Sequence, residues 1–124
     1  MSPAGFVDVF AELRDVLLSA APPMVVASDI NGALVLNAAW AEQRTGKPAF
    51  FGQVSIKKSY VAFHLMPLYY LPQLEQAIPE RLAARRQGKT CFNVRRAEAA
   101  VFADLRRLTA RCVALEGDWR KLLG

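Results

Sequence analysis

The chain has 124 residues, of which 53% are hydrophobic and 22% are charged, a balance typical of a globular protein. We expect one compact domain over residues 1–124, large enough to bury roughly two thirds of its unfolded surface. No apolar run reaches the length of about 18 residues that a membrane span needs. The N-terminal MSPAGFVDVFAEL has no basic segment before an apolar core, so we expect no secretory signal and a cytoplasmic location.

The net charge is +5, and eleven of the sixteen basic residues follow position 80. A basic half raises the hypothesis of nucleic-acid binding. These residues fall on the polar faces of predicted helices, where a solvated face is the commoner explanation, so nucleic acid is not the favoured partner. The two cysteines, Cys91 and Cys112, lie 21 residues apart without metal-binding spacing. We interpret both as buried reduced thiols.

The first predicted element is an amphipathic helix over residues 3–20. Ser2 can cap it, Pro3 suits its first turn, and Pro22-Pro23 end it. Its apolar stripe consists of Phe6, Val9, Phe10, Leu13, Val16 and Leu17. Its other side carries three carboxylates at i, i+4 and i+7, namely Asp8, Glu12 and Asp15. These carboxylates either gather a hard cation or form an exposed acidic face, and the sequence leaves both open.

A β-hairpin is predicted next, with strands over residues 24–30 and 33–37. Both strands are apolar and rich in β-branched residues. The connecting Asn31-Gly32 tolerates the positive φ angles of a type I′ turn, which is the strongest short hairpin signal. Residues 38–49 are interpreted as a loop or a short helical turn.

A second hairpin is predicted to pair residues 50–56 with residues 59–65 around Lys57-Lys58, so that Ile56 opposes Ser59. A four-residue loop with the same register is an equal alternative. This register gives one nearly all-apolar face that contains Phe50, and a slip by one residue would mix the two faces. The other face carries Phe51, Gln53, Ser55, Tyr60, Ala62 and His64.

The second half of the chain predicts a helix over residues 66–78 and a second helical piece that opens at Pro79 and ends at Gly88. A short strand over residues 90–94 and a last helix over residues 97–115 follow. The order is α, β-hairpin, β-hairpin, α-α, β, α. It predicts an α+β fold in which an antiparallel sheet packs against N- and C-terminal helices.

Strand parity groups several polar side chains on one face of this sheet. If Phe92 and Val94 point to the core, alternate residues of the same strand point the other way, to the face of Tyr60 and His64. This face would then carry aromatic rings, an amide, an imidazole and two cations. Such a set suits a small anionic molecule or the acidic group of a protein partner. The alternative is a solvated sheet face, which antiparallel sheets commonly have. The hypothesised ligand-binding residues are Tyr60, His64, Lys89, Asn93 and Arg95.

Catalysis is the less favoured hypothesis. His64 is the only histidine, and Cys91 on a neighbouring strand is the one candidate nucleophile near it. Nothing in the sequence supplies a third group to orient the imidazole, and no nucleophile-elbow pattern flanks either residue. We therefore predict a non-enzymatic binding domain without a cofactor, and leave a homodimer open.

Two segments resemble the signature blocks of the YdhG-like domains, small bacterial proteins mostly of unassigned function. The first is KSYVAFHLMPLY at residues 58–69, and the second is GKTCFN at residues 88–93. The resemblance covers roughly residues 50–96, and the flanking elements match in order alone. It implies an α/β sandwich similar to frataxin. Some relatives are described as intracellular iron chaperones, a role that implies iron on an acidic surface, for which this chain offers Asp8, Glu12 and Asp15.

Overall fold

The structure is a computed structural model that describes residues 3–124, with side chains from Phe6 onward. The first helix, α1 (Pro3–Leu18), ends two residues before the predicted bound. Ser2, the predicted cap, lies outside the described residues. The predicted apolar stripe is confirmed, since Phe10 packs against the core and the other members are buried. These buried members are Phe6, Val9, Leu13, Val16 and Leu17.

The first hairpin consists of β1 (Val25–Ile30) and β2 (Ala33–Ala41). The hairpin is confirmed, but the predicted type I′ turn is wrong, because that turn needs a positive φ at both central residues. Gly32 has a φ of +78°, whereas no residue other than glycine, Asn31 included, has a positive φ in the described part of the chain. The interpretation of residues 38–49 as a loop or helical turn is wrong at both ends, because strands extend into the segment from each side. Burial alternates along β2 as far as Trp40. The alternation was missed because the extension is mostly alanine, which carries little β-propensity.

The second hairpin consists of β3 (Pro48–Ile56) and β4 (Val61–Leu65). The predicted pairing of Ile56 with Ser59 is wrong, because Ile56 pairs with Val61 across a four-residue loop. The observed register differs from the predicted one by two residues. Since side chains alternate with a period of two, the residues of β4 keep their predicted faces.

An irregularity in β3 reverses the predicted faces of two phenylalanines. The pairing of β3 with β2 skips Phe51, which lies between Gly52 and Phe50. Phe51 is fully buried, with its ring centroid 6.0 Å from that of Trp119. Phe50 is instead half-exposed on the opposite face, where the sequence predicted Phe51. One extra residue in a strand reverses the face to which the residues beyond it point. The sequence Phe50-Phe51-Gly52 gives no signal of such an irregularity.

The helix predicted over residues 66–78 is wrong as a continuous element. α2 (Pro67–Tyr70) ends at Leu71, which has extended backbone angles, and a 3-10 helix (Pro72–Ala77) follows. Proline lacks an N–H and disfavours the α conformation of the preceding residue, so Pro72 breaks the helix in two.

The helical piece predicted from Pro79 to Gly88 contracts to α3 (Glu80–Ala83). The next residues form β5 (Arg86–Gln87), which pairs with β6 (Cys91–Val94). Gly88, with a φ of +65°, therefore lies in a hairpin turn and not at a helix end, which corrects its predicted role. A glycine of positive φ suits either setting, so the residue type alone did not decide between them.

The last predicted helix is confirmed as α4 (Ala99–Ala114), and a further helix, α5 (Glu116–Leu123), was not predicted. α5 is short, and its apolar residues are Trp119, Leu122 and Leu123. Trp119 is fully buried and meets Trp40 edge to face at a centroid distance of 4.9 Å. The buried stripe of α4 contains Val101, Leu105, Leu108 and Cys112.

The six strands form one antiparallel sheet in the order β1-β2-β3-β4-β6-β5. α1 lies against β3 and β4 and packs beside α4. The predicted α+β fold, an antiparallel sheet packed against N- and C-terminal helices, is confirmed. Within residues 3–124, no helix combines the length and the apolar character needed to cross a membrane.

Candidate functional site

β6 divides its side chains between the two faces of the sheet as predicted. Phe92 and Val94 are buried in the core, and Cys91 and Asn93 alternate with them on the opposite side. The register places His64 directly opposite Cys91. This side of the sheet is turned away from the buried core residues, and we call it the outer face. Its central residues are Gln53, Ser55, Ala62, His64, Cys91 and Asn93.

His64 is half-buried on the outer face. The edge-to-face ring of Phe50 lies 5.3 Å from the imidazole centroid, and Nε2 has no hydrogen-bond partner among the described residues. Burial lowers the pKa of His64 below its ordinary value and raises the pKa of the facing Cys91 thiol. At neutral pH the pair is thus a neutral imidazole beside a neutral thiol. An activated cysteine nucleophile needs the opposite charge states, so this pair suits contact better than catalysis.

Asn93 links the outer face to β5 and to Arg85, the residue just before it. Its backbone N–H donates to the carbonyl of Arg85 at 2.8 Å, and its side-chain Nδ2 donates to Oε1 of Gln87 at 2.5 Å. Its Oδ1 is buried and receives no hydrogen bond from the part of the chain that the structure describes. The carboxamide oxygen therefore has no partner in the described chain and is closed to solvent as well.

Tyr60 lies in the loop between β3 and β4, so its predicted place within a strand is wrong. The loop has four residues, which moves the start of β4 to Val61. The ring of Tyr60 nevertheless reaches the predicted neighbour, because the guanidinium carbon of Arg95 lies 5.9 Å from the ring centroid. This distance is that of a cation–π contact, which orients the Arg95 side chain.

Lys89 lies in the turn between β5 and β6, away from this contact. Its Nζ stands 5.9 Å from the ring centroid of Tyr69 in α2. Of the five residues proposed from the sequence, Asn93 and Arg95 line one depression, while Tyr60, His64 and Lys89 do not line it.

The depression has a volume of about 420 Å³ and lies where β6 runs into α4. Neither Arg95 nor Arg96 has a carboxylate within ion-pair distance among residues 3–124, and both are exposed. Consecutive residues of a strand point in opposite directions, but β6 ends at Val94 and the chain bends at Arg96. Both residues line the same depression, and Arg95 also lines a smaller one with Phe6, Lys58 and Ser59. The lining residues of the larger depression are Ala84, Arg85, Asn93, Arg95, Arg96 and Glu98.

One of the three arginines is already engaged. Nη2 of Arg85 lies 2.7 Å from Oε2 of Glu98, and its Nη1 donates to the carbonyl of Arg81 at 2.5 Å. Sequence reasoning missed Arg85 and Arg96, because it assigned them to solvated helix faces, and it gave Glu98 no part in a site. Strand parity even separates Arg96 from Arg95, so only the bend after β6 reveals that they act together.

The three carboxylates of α1 show no metal centre. Asp15 accepts a hydrogen bond from Arg106 at 3.0 Å. Asp8 and Glu12 line a second depression of about 550 Å³, whose other lining residues are Ala11, Ala97, Ala99 and Phe102. Across the described chain, no three His, Cys, Asp or Glu side chains gather in a group that could hold a metal ion. The structure thus adds no support to the iron hypothesis.

Comparison of the chain with protein-family models, with curated proteins and with solved structures gave no match in any of the three. The resemblance to YdhG-like domains therefore stays a prediction that rests on residues 58–69 and 88–93.

Proposed function

We propose that this chain is a non-enzymatic binding domain that takes a small anionic molecule, or the acidic group of a protein partner, in the depression of Arg95 and Arg96. One observation carries the proposal. Two consecutive arginines without carboxylate partners in the described chain line the same depression as Asn93. Each guanidinium presents five N–H donors in a planar fork that matches carboxylate and phosphate oxygens.

The charge balance of the depression favours an anion. Three arginines and one glutamate line it, and the glutamate already bonds Arg85. Arg95 and Arg96 thus supply two positive charges that an incoming anion would neutralise. A hydrogen bond to a charged group contributes about 1.5–3 kcal/mol, so one such bond from each arginine supports a dissociation constant between several millimolar and tens of micromolar.

The other proposed residues take distinct parts in this arrangement. Tyr60 positions Arg95 through its ring, and Asn93, which also lines the depression, is held to β5 by the hydrogen bond from its Nδ2 to Gln87. His64 and Lys89 lie outside the depression. They would touch only an extended ligand or a protein partner that continues over the outer face and the β5–β6 turn.

Binding without catalysis is supported by the charge states of the outer face. The raised pKa of Cys91 and the lowered pKa of His64 leave both groups neutral at neutral pH. We also propose the cytoplasmic location that the sequence predicts. Both cysteines are free thiols, and Cys112 is fully buried, which fits a reducing compartment.

The test is thermal unfolding in sodium phosphate or sodium citrate against sodium chloride of equal ionic strength. We expect both anions to raise the melting temperature of the natural chain, and the double variant R95M/R96M to lose this increase. Lys89→Met is the matched control, because Lys89 is an exposed cation outside the depression. An increase that survives in R95M/R96M would overturn the proposal. Loss of the increase in K89M instead would move the site to the β5–β6 turn.

A further inference from the structure

Resting on the proposed function, we propose that the acidic group taken by Arg95 and Arg96 comes from a second copy of this chain. Its carboxylates are Asp8 and Glu12 of α1, and the two copies pair reciprocally about a two-fold axis. The inference rests on two surfaces of opposite charge that adjoin on the molecule.

The first surface carries exposed cations. Arg95 lines the larger depression together with Arg96. It also lines the smaller one, of about 260 Å³, where Lys58 and Phe6 lie. We call Lys58, Arg95 and Arg96 the cationic strip. None of the three has a carboxylate within ion-pair distance in the part of the chain that the structure describes. Because the guanidinium of Arg95 lies at the Tyr60 ring, the charges are spread along the strip, which suits a partner with more than one carboxylate.

The second surface is the depression of about 550 Å³ between α1 and the start of α4, which we call the acidic depression. Its carboxylates, Asp8 and Glu12, are exposed one helical turn apart, and neither has a cation within ion-pair distance among the side chains described. Its apolar lining residues are Ala11, Ala97, Ala99 and Phe102. Carboxylates beside an aromatic ring suit arginine, whose guanidinium pairs with carboxylates and stacks on rings while its stem covers apolar surface.

The two surfaces adjoin because they use the same elements. Phe6 lines the smaller depression beside Lys58, and Asp8 follows it by two residues in α1. Arg96 belongs to the cationic strip, and the next residue, Ala97, lines the acidic depression. Adjoining surfaces of opposite charge are self-complementary. A two-fold rotation about an axis between them lays the strip of each copy over the carboxylates of the other.

The alternation of charge favours a second copy over a uniformly charged partner. A nucleic-acid strand is negative throughout, so Asp8 and Glu12 would repel it at the end of the strip. In a two-fold pair every ion pair occurs twice, and apolar residues such as Phe102 lie between the charges, as in the usual arrangement of an apolar centre and a polar rim. Exposed ion pairs contribute little affinity, so we expect a weak dimer with a dissociation constant of about 10–100 μM.

The experiment is sedimentation velocity of the full chain at concentrations that bracket this constant. We expect the natural chain to dimerise. The charge reversals D8K/E12K and R95E/R96E should each weaken the dimer at least tenfold, because each places like charges opposite one another. E80K/D118K is the matched control, since it makes the same charge change as D8K/E12K at two exposed carboxylates outside both surfaces. Its dissociation constant should stay within threefold of that of the natural chain.

An equimolar mixture of the two charge reversals tests the reciprocal contact. In the mixed dimer, the unchanged arginines of D8K/E12K meet the unchanged carboxylates of R95E/R96E, and the introduced charges also meet as opposites. We expect the mixture to dimerise within threefold of the natural chain, which also shows that both variants are folded. D8N/E12Q removes the acidic charges without changing side-chain size, and it should weaken the dimer at least threefold. Charge reversals that melt like the natural chain but do not pair in the mixture would overturn the contact.

The remaining outcomes separate this inference from the proposed function. A natural chain that is monomeric at every concentration would overturn the second copy and leave the anion site in place. A dimer that survives both charge reversals would assign the contact to another surface, such as the outer face, and would also overturn the inference. D8K/E12K keeps the cationic strip. If the dimer forms as expected and phosphate and citrate do not raise the melting temperature of D8K/E12K, the inference stands and binding of a small anion fails.

Discussion

Arg85 and Glu98 form an ion pair with an N–O distance of 2.7 Å at the depression that Arg95 and Arg96 line. The pair couples the end of α3 to the start of α4. The carboxylate of Glu98 would repel an incoming anion, and the guanidinium of Arg85 is already paired and so is not available to bind one. The natural depression is therefore less cationic than its three arginines suggest.

Replacing Glu98 by glutamine should strengthen anion binding. The change removes a negative charge from the lining of the depression and frees Arg85 to face the ligand. Neighbouring charges near a protein surface interact by about 1 kcal/mol, so we expect a three- to tenfold lower dissociation constant for phosphate, measured by calorimetry. Glu80→Gln is the matched control, since Glu80 is exposed on α3 and does not line the depression. Equal affinities in E98Q and the natural chain would contradict this prediction.

Asp104 is a second acidic residue that pairs with arginines, and we expect this pairing to stabilise the fold. Its side chain is fully buried, and it accepts hydrogen bonds from Arg81 at 2.6 and 3.1 Å and from Arg107. The two arginine side chains are 53% and 67% exposed, so water screens part of the attraction. We expect Asp104→Asn to lower the free energy of unfolding by about 1–2 kcal/mol in urea titrations at pH 7. Glu12→Gln, at an exposed site, should change it by less than about 0.5 kcal/mol.

The stability difference between the natural chain and D104N should shrink at acid pH. The hydrogen bonds from Arg81 hold the pKa of Asp104 below its ordinary value. A lowered pKa in the folded state stabilises the fold above the unfolded pKa of about 3.9, and the contribution is lost as the pH falls through the folded pKa. Unfolding titrations from pH 7 down to pH 2.5 check this. A difference that stays constant over the whole range would show that the charge of Asp104 is not its source.

The elements predicted best are those whose signal is local. Asn31-Gly32 predicts the position of its hairpin, though not the type of turn, because Gly32 readily takes the positive φ that the turn needs. The alternation of Phe92 and Val94 predicts the faces of β6. The elements predicted worst depend on tertiary pairing. Phe51 faces the core because β3 has one residue more than β2 at this point of their pairing. The amino-acid types of the segment do not predict this extra residue.

The difference between local signals and tertiary pairing also explains which residues of the site could be predicted from the sequence. Parity placed Asn93 on the outer face and put Arg95 near Tyr60. It failed for Arg96, because alternation holds only inside a strand and β6 ends at Val94. It also failed for Lys89, whose turn directs the side chain toward Tyr69. Loop geometry depends on how the flanking elements pack, which a single sequence does not encode locally.

The imidazole of His64 should titrate below its ordinary pKa. Burial on the outer face disfavours the charged form and lowers the pKa of His64 from 6.5. Proton NMR checks this without ambiguity, because the chain has a single histidine. The midpoint should lie below 6.5. Since the unfolded chain binds the proton more readily, the fold loses stability as the pH falls from about 6.5 toward the folded pKa. His64→Gln should abolish that loss, and an unchanged loss in H64Q would assign it to other groups.

Gly52 should tolerate no side chain. A Cβ at this position would lie 2.7 Å from the backbone carbonyl oxygen of His64 and 3.1 Å from Cδ1 of Leu17. The first contact is with paired backbone in β4, which cannot yield without disturbing the sheet. We expect Gly52→Ala to lower the free energy of unfolding by about 1–3 kcal/mol or more, measured by urea unfolding.

Gly117 offers the matched control for this substitution. It lies exposed in α5, and a Cβ there would meet no atom within 4 Å. Alanine favours the helix over glycine by up to about 1 kcal/mol, so Gly117→Ala should leave stability unchanged or raise it. Equal effects of G52A and G117A would mean that β3 does not approach β4 and α1 as closely at Gly52 as these distances require. The difference expected between the two substitutions therefore tests how closely β3 packs against β4 and α1 at Gly52.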